Sequence, residues 1–233
     1  MDGMRRAIFS AIAVVVMTIS LAGCVPAAGQ SGAGASGDTP GASSPILQNP
    51  NDFQYYSTLD EAVAYNTGET SNVTHIDKRI KLFENDKYAV LFFISNMYDR
   101  DALYVFKFYV RKIDEKPHYS PPIVATDIMW AAQKVAVQKM KLDAIGEVRL
   151  CISQDSLRMF RVDDSKNFFW GISQSPKAKN LKIEGQHATE VIPVKMDGDT
   201  VYFWYFADLK TDKKPVFQDI QKYVKGDFVI TMD

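Results

Sequence analysis

The chain is poor in the residues from which many catalytic centres are built. Of its 233 residues, two are cysteine and three are histidine. His75, His118 and His187 are far apart, without ligand spacing and without a His-Glu-x-x-His pair, so no zinc site or other metal site is expected. A Gly-x-Ser-x-Gly elbow is missing. The nearest string, Gly171-Ile172-Ser173-Gln174-Ser175, lacks its last glycine, and Ser173 and Lys177 are wrongly spaced for a Ser-x-x-Lys signature. The glycines of a phosphate-binding loop are absent. Asp99 and Asp101 lack the glycine and terminal glutamate of a calcium loop. They read as a solvated turn, as does Asp163-Asp164. No catalytic residue and no cofactor is expected. A pair of carboxylates brought to about 5–10 Å by the fold would leave no sequence signature, so that chemistry stays open.

An excess of positive charge is also missing. The 27 basic residues meet 28 acidic ones, a formal net charge of −1. A chain without a basic field is not expected to bind nucleic acid non-specifically.

What is present begins at the N-terminus. Arg5 and Arg6 precede an uncharged apolar stretch, residues 7–20, the order of an export signal. Asp2 is out of place in such a signal, which makes Met4 an alternative start. The stretch is shorter than the roughly 20 residues of a membrane span, and no stop-transfer charges follow. It ends in Leu21, Ala22, Gly23 and Cys24. These four residues resemble the lipobox of bacterial lipoproteins. The resemblance implies cleavage before Cys24 by signal peptidase II, with Leu21, Ala22 and Gly23 recognised, and a diacylglycerol thioether on the Cys24 sulfur. The expected partner of Cys24 is then the membrane, with the protein on its extracytoplasmic side. Each buried acyl CH₂ contributes about 0.8 kcal/mol, and two chains hold lastingly.

Removing residues 1–23 takes away two arginines and one aspartate, so the remaining charge is −2. It also leaves Cys151 as the only free thiol, which excludes an intramolecular disulfide. Cys151 is expected on a strand, opposite Val148, Leu150 and Ile152, as a half-buried packing residue.

Three regions follow: a signal at 1–23, the lipidated cysteine with a tether at 24–50, and a globular part at 51–233 with possible subunits 51–145 and 146–233. The tether is built from Ala, Gly, Ser, Pro, Gln and Thr, and Asp38 is its single charge. Such a composition cannot order itself. As a coil it would span roughly 28 Å.

The globular part reads as α+β, mainly antiparallel strands with a few short helices. Thr58 and Glu61 have capping-box spacing, with Leu59, Ala62 and Val63 facing inward and residues 66–68 ending the helix. Ile76, Ile80 and Leu82 suggest one face of a half-buried strand. Residues 84–87 read as a turn and 88–94 as a central strand covered on both faces. Residues 96–101 read as a polar loop and 104–111 as a third strand. Residues 117–122 break the pattern. Ile128, Ala131, Ala132, Val135 and Leu142 suit a helix over 127–142 with Asp127 as its N-cap, while Val135 and Val137 could also alternate in a strand; the helix is the expectation. Strands are expected over 147–153, 157–162, 168–173, 181–184, 191–196, 201–206 and 228–232. Asp197-Gly198 is the strongest hairpin signal. Val216, Ile220 and Val224 suggest a short helix ended by Gly226.

The aromatic runs 168–170 and 202–206 must present rings on both faces of their strands. One set fills a core; the other meets a second layer or forms an exposed platform for a sugar or protein. The expected function is a non-enzymatic, membrane-anchored binding or interaction module with an envelope protein or polysaccharide partner. The alternative is a cell-envelope hydrolase with a dispersed carboxylate site.

Overall fold

A computed structural model describes residues 49–65, 73–97, 99–152, 159–213 and 228–233. The lipobox-like residues Leu21, Ala22, Gly23 and Cys24, the helix stop at 66–68 and the helix expected around Val216 to Gly226 lie outside these residues.

The fold is α+β and mainly antiparallel. Helix α1 (Leu59–Ala64) starts on the expected capping box: Thr58 accepts from the Glu61 backbone N–H, and the Glu61 carboxylate accepts from the Thr58 N–H. Its inward residues are Leu59, Ala62 and Val63, as read.

The first sheet is built on β1 (Lys78–Glu84), β2 (Tyr88–Met97) and β3 (Arg100–Ile113), each antiparallel to the next. β2 is the central strand: Val90, Phe92 and Ile94 enter one core, and Ala89, Leu91 and Phe93 enter another. Residues 96–101 are not a loop. Asn96 pairs with Asp101 and Met97 with Arg100, so the two strands run nearly to the chain reversal. A bulge between Arg79 and Lys81 corrects the reading of β1. The extra residue puts Ile80 and Phe83 against the inter-sheet core and leaves Leu82 38% exposed.

β3 is 14 residues long and serves two partners along one edge. Its first half pairs with β5 (Val124–Met129), and its end pairs with β4 (Lys116–Tyr119). The break at 117–122 is thus narrower than expected, since Pro117 sits within the edge strand β4. Pro121 and Pro122 have no N–H for the ladder. Ser120 bridges the gap: its Oγ accepts from the Tyr109 N–H at 3.0 Å and its own N–H donates to the Tyr109 carbonyl at 3.1 Å.

Asp127 lies in β5 and caps nothing. Helix α2 (Trp130–Met140) follows, with Met129 at its N-cap and no side-chain cap bond. Its buried residues are Trp130, Gln133 and Val137, while Val135 is 47% exposed, so the inward face differs from the one expected. Residues 147–153 are a further correction. Helix α3 (Ala144–Ile152) occupies their described part, 147–152, and Asp143 accepts from the Gly146 N–H at 2.7 Å at its start. Val148, Cys151 and Ile152 recur at helical spacing and are buried. No strand occupies 159–162, and residues 153–158 lie outside the description.

The second sheet has the order β6 (Phe169–Ser173), β10 (Asp199–Phe206), β9 (Glu190–Met196). Asp197 and Gly198, with φ of 47° and 81°, join β9 to β10 in a two-residue turn of the twist that hairpins favour. A third, small sheet has the order β11 (Ile230–Met232), β7 (Leu181–Ile183), β8 (Gln186–His187).

These elements stack in layers around three cores. One core lies under α1 on the first sheet. A second lies between the two larger sheets and draws Val90, Phe92 and Leu103 from the first half of the globular part and Trp170, Phe203 and Tyr205 from the second. A third lies between the second sheet, α3 and the small sheet, with Phe169, Trp204, Val148 and Ile230. Both faces of the 168–170 and 202–206 runs are therefore buried. The open-platform alternative is overturned for them, because a second layer covers the other face.

Candidate functional site

The described chemistry-bearing residues fall into buried networks, surface clamps and one groove. Cys151 is buried in α3 rather than half-buried on a strand. Its thiol donates to the Ile172 carbonyl at 3.6 Å, and burial pushes its pKa up to about 12, so it stays a protonated packing residue near neutral pH. Ser173 is 1% exposed and Glu147 4%. The Ser173 hydroxyl donates to Glu147 Oε2 at 2.7 Å. Gln174 gives the same carboxylate its backbone N–H at 2.9 Å and its side-chain amide at 2.7 Å. Ser173 Oγ also accepts from the Ser175 N–H at 3.1 Å. The serine therefore ties α3 to β6, with its hydroxyl already engaged on both sides.

The fold does not bring the histidines together. His75 Nε2 lies 3.2 Å from Ser95 Oγ, His118 Nδ1 lies 3.2 Å from the Lys116 carbonyl, and His187 is in β8. Among the described residues, no group of three or more His, Cys, Asp or Glu side chains could hold a metal. Asp163 closes its turn by accepting from the Ser165 N–H and hydroxyl, as expected of a turn residue.

The groove lies at one end of the inter-sheet core. Phe83, Phe160, Val162, Phe168 and Ala207 line an apolar cleft of about 110 Å³, with Arg161, Asp163 and Lys166 also lining it. Ring packing fixes its floor: the Phe83 centroid is 4.9 Å from those of both Phe168 and Tyr205, edge to face. Behind that floor, Lys81 Nζ and Tyr205 Oη both donate to Glu190 Oε2, at 2.7 and 2.8 Å. The Lys81 bond comes first among the causes that hold the Glu190 carboxyl below its ordinary pKa, and burial raises the Tyr205 phenol. Glu190 is thus kept ionised and Tyr205 protonated, an arrangement that clamps two sheets and has no proton poised to transfer.

Lys107 stands beside the groove. Cross-strand pairing sets it in one row with Phe83, Val90 and Val124, on the face whose neighbours are core. Its Nζ donates to the Arg161 carbonyl at 2.7 Å and lies 4.3 Å from the centroid of the Tyr88 ring. Burial pulls its pKa below the ordinary lysine value; the nearby Arg161 charge lowers it further and Asp164 raises it. Beyond Tyr88 the rings continue through Tyr109 to Phe53, and Arg111 stacks over Tyr55 at 4.5 Å. Arg111 also donates to Asn51 Oδ1 at 2.6 Å, so this strip fastens the start of the described chain to β3.

Sequence reasoning placed none of these residues in a site. The available signal was Lys107 itself, a charged residue in phase with Val105 on a strand whose other face carries no charge from Ala102 to Val110. A groove of rings with cations at its edge can seat a ligand; its described residues present no nucleophile and base in contact. No protein-family model matches the chain, and neither a curated protein nor a solved structure does.

Proposed function

We propose that the protein is a lipid-anchored, extracytoplasmic binding or interaction module whose work is recognition rather than catalysis. The observation that carries the anchor is the run Leu21-Ala22-Gly23-Cys24 behind a short uncharged stretch. The binding reading is supported by the ring-lined groove beside Lys107, and by the engaged state of the side chains that would otherwise suggest acid–base or nucleophilic chemistry. The tether would let the module reach a partner roughly 28 Å from the headgroups.

The test is replacement of Cys24. Cys24→Ser should abolish incorporation of labelled palmitate and leave an uncleaved or mislocalised precursor. Undiminished labelling of that variant would overturn the anchored reading.

A further inference from the structure

The lysines of one short segment form a surface of a different kind from the groove. Residues 173–183 hold Lys177, Lys179 and Lys182 and no aspartate or glutamate. Local geometry turns all three outward. Pro176–Asn180 is a 3₁₀ helix; with three residues per turn, the buried Ala178 takes the inward third, and Lys177 and Lys179 take the other two. Lys182 follows in β7 between Leu181 and Ile183, which are buried, so its side chain leaves by the opposite face.

Among the described residues no carboxylate forms an ion pair with these three lysines. Lys179 Nζ lies 5.6 Å from the centroid of the Tyr202 ring, and Lys182 stands in the ladder between Thr231 and His187. The acids nearby are otherwise engaged. Glu147 accepts from Ser173 and Gln174, and Glu184 accepts from Lys213 Nζ at 2.8 Å and from the Val229 N–H at 2.7 Å. Asp233, just past β11, meets the segment through its backbone carbonyl, which accepts from Asn180. The whole chain has a formal net charge of −1, so this positive surface is local.

Charge complementarity calls for an anionic partner. A protein interface is centred on aromatic or aliphatic anchors. Here Ala178, Leu181 and Ile183 are at most 1% exposed, so the segment offers charge without an apolar centre, which suits a hydrophilic chain. The small sheet and the first sheet cover opposite faces of the second sheet, and Asn51, where the tether ends, is fastened to β3 of the first. The lysines thus lie across the second sheet from the tether's joining point, open to a polymer outside the membrane.

We propose that the outward side of residues 176–182 is a docking surface for an acidic polysaccharide, with Lys177, Lys179 and Lys182 pairing with its anionic groups. This rests on the binding-module reading and names its partner.

Binding of the full-length protein, in uncharged detergent, to immobilised polygalacturonate tests it, with dextran as the neutral polysaccharide and poly-glutamate as the acidic polypeptide. Polygalacturonate should be bound saturably, at least ten-fold more tightly than dextran and no less tightly than poly-glutamate. Binding should weaken as salt shortens the Debye length from about 10 Å at 0.1 M to about 3 Å at 1 M. Replacing Lys177, Lys179 and Lys182 together by Gln should weaken it at least ten-fold. Replacing Lys87, Lys116 and Lys139 by Gln removes the same charge from other exposed positions and should leave it unchanged. Thermal unfolding reports whether each variant folds, and the pair Lys177→Gln and Lys179→Gln, both at exposed positions, serves if the triple variant does not. No saturable binding, dextran bound as tightly, poly-glutamate bound more tightly, or an equal loss in the two triple variants overturns the proposal. Palmitate labelling of the same preparations reads the anchor separately, so one reading can fail while the other stands.

Discussion

Asp101 and Asp197 exchange hydrogen bonds across 96 residues of sequence: the Asp101 N–H donates to Asp197 Oδ1 at 2.9 Å, and the Asp197 N–H donates to Asp101 Oδ2 at 2.6 Å. Asp101 stands at the start of β3 and Asp197 in the β9–β10 turn, so this reciprocal clasp fastens the first sheet to the second. Trp130 Nε1 and Lys134 Nζ reinforce it by donating to Asp199 Oδ2, at 2.8 and 2.7 Å. Hydrogen bonds to charged groups contribute about 1.5–3 kcal/mol each. Asp101→Ala should therefore cost about 2 kcal/mol in urea unfolding. Asp197→Gly, whose backbone suits the φ of 47° at that position, should cost a similar amount. The double variant should cost less than the sum, with a coupling of about 1 kcal/mol. Strict additivity would show that the two bonds do not act together.

Gly171 marks the tightest approach in the third core. A Cβ built on it would stand 2.5 Å from Trp204 Cζ2 and 2.6 Å from Cys151 Cβ. Both neighbours are buried and have nowhere to move. Gly171→Ala should cost at least about 2 kcal/mol by overpacking. Cys151→Ala should not rescue it, because the clashing Cys151 Cβ remains. A rescued melting temperature in the double variant would place the strain on the sulfur instead.

Alkaline pH should unfold the protein early. Burial, helped by the bond to Glu84, raises the Tyr119 phenol from 10.0 to about 12, and burial raises the Cys151 thiol from 9.0 to about 12. Both groups hold their protons more tightly when folded than when unfolded. Their stabilisation is fully present below the unfolded values and is lost as pH climbs through the folded ones. The urea midpoint should thus fall between pH 9 and pH 12. Lys107, with its lowered pKa, works in the opposite direction, since deprotonation relieves a buried charge. Tyr119→Phe should flatten the upper part of the decline; an unchanged pH profile in that variant would assign the effect elsewhere.

The sequence by itself determined the features whose physics is local. Thr58 and Glu61 cap α1 through bonds spanning three residues, and Asp197-Gly198 supplies the two positive φ angles its turn requires. The apolar run 88–94 marks β2 as central because a strand covered on both faces has no polar side to show. Tertiary structure decided the rest. Residues 144–152 support a period of 2 or of 3.6 when read alone, and the surface of β6 with Gly171 selects the helix that buries Val148, Cys151 and Ile152 together. One inserted residue in β1 turns Leu82 outward and Phe83 inward, because a bulge shifts every following side chain to the opposite face. The groove was illegible for the same kind of reason. Phe83, Lys107, Phe168 and Ala207 come from separate segments, and only the stacking of two sheets sets a half-buried ammonium beside an apolar cleft.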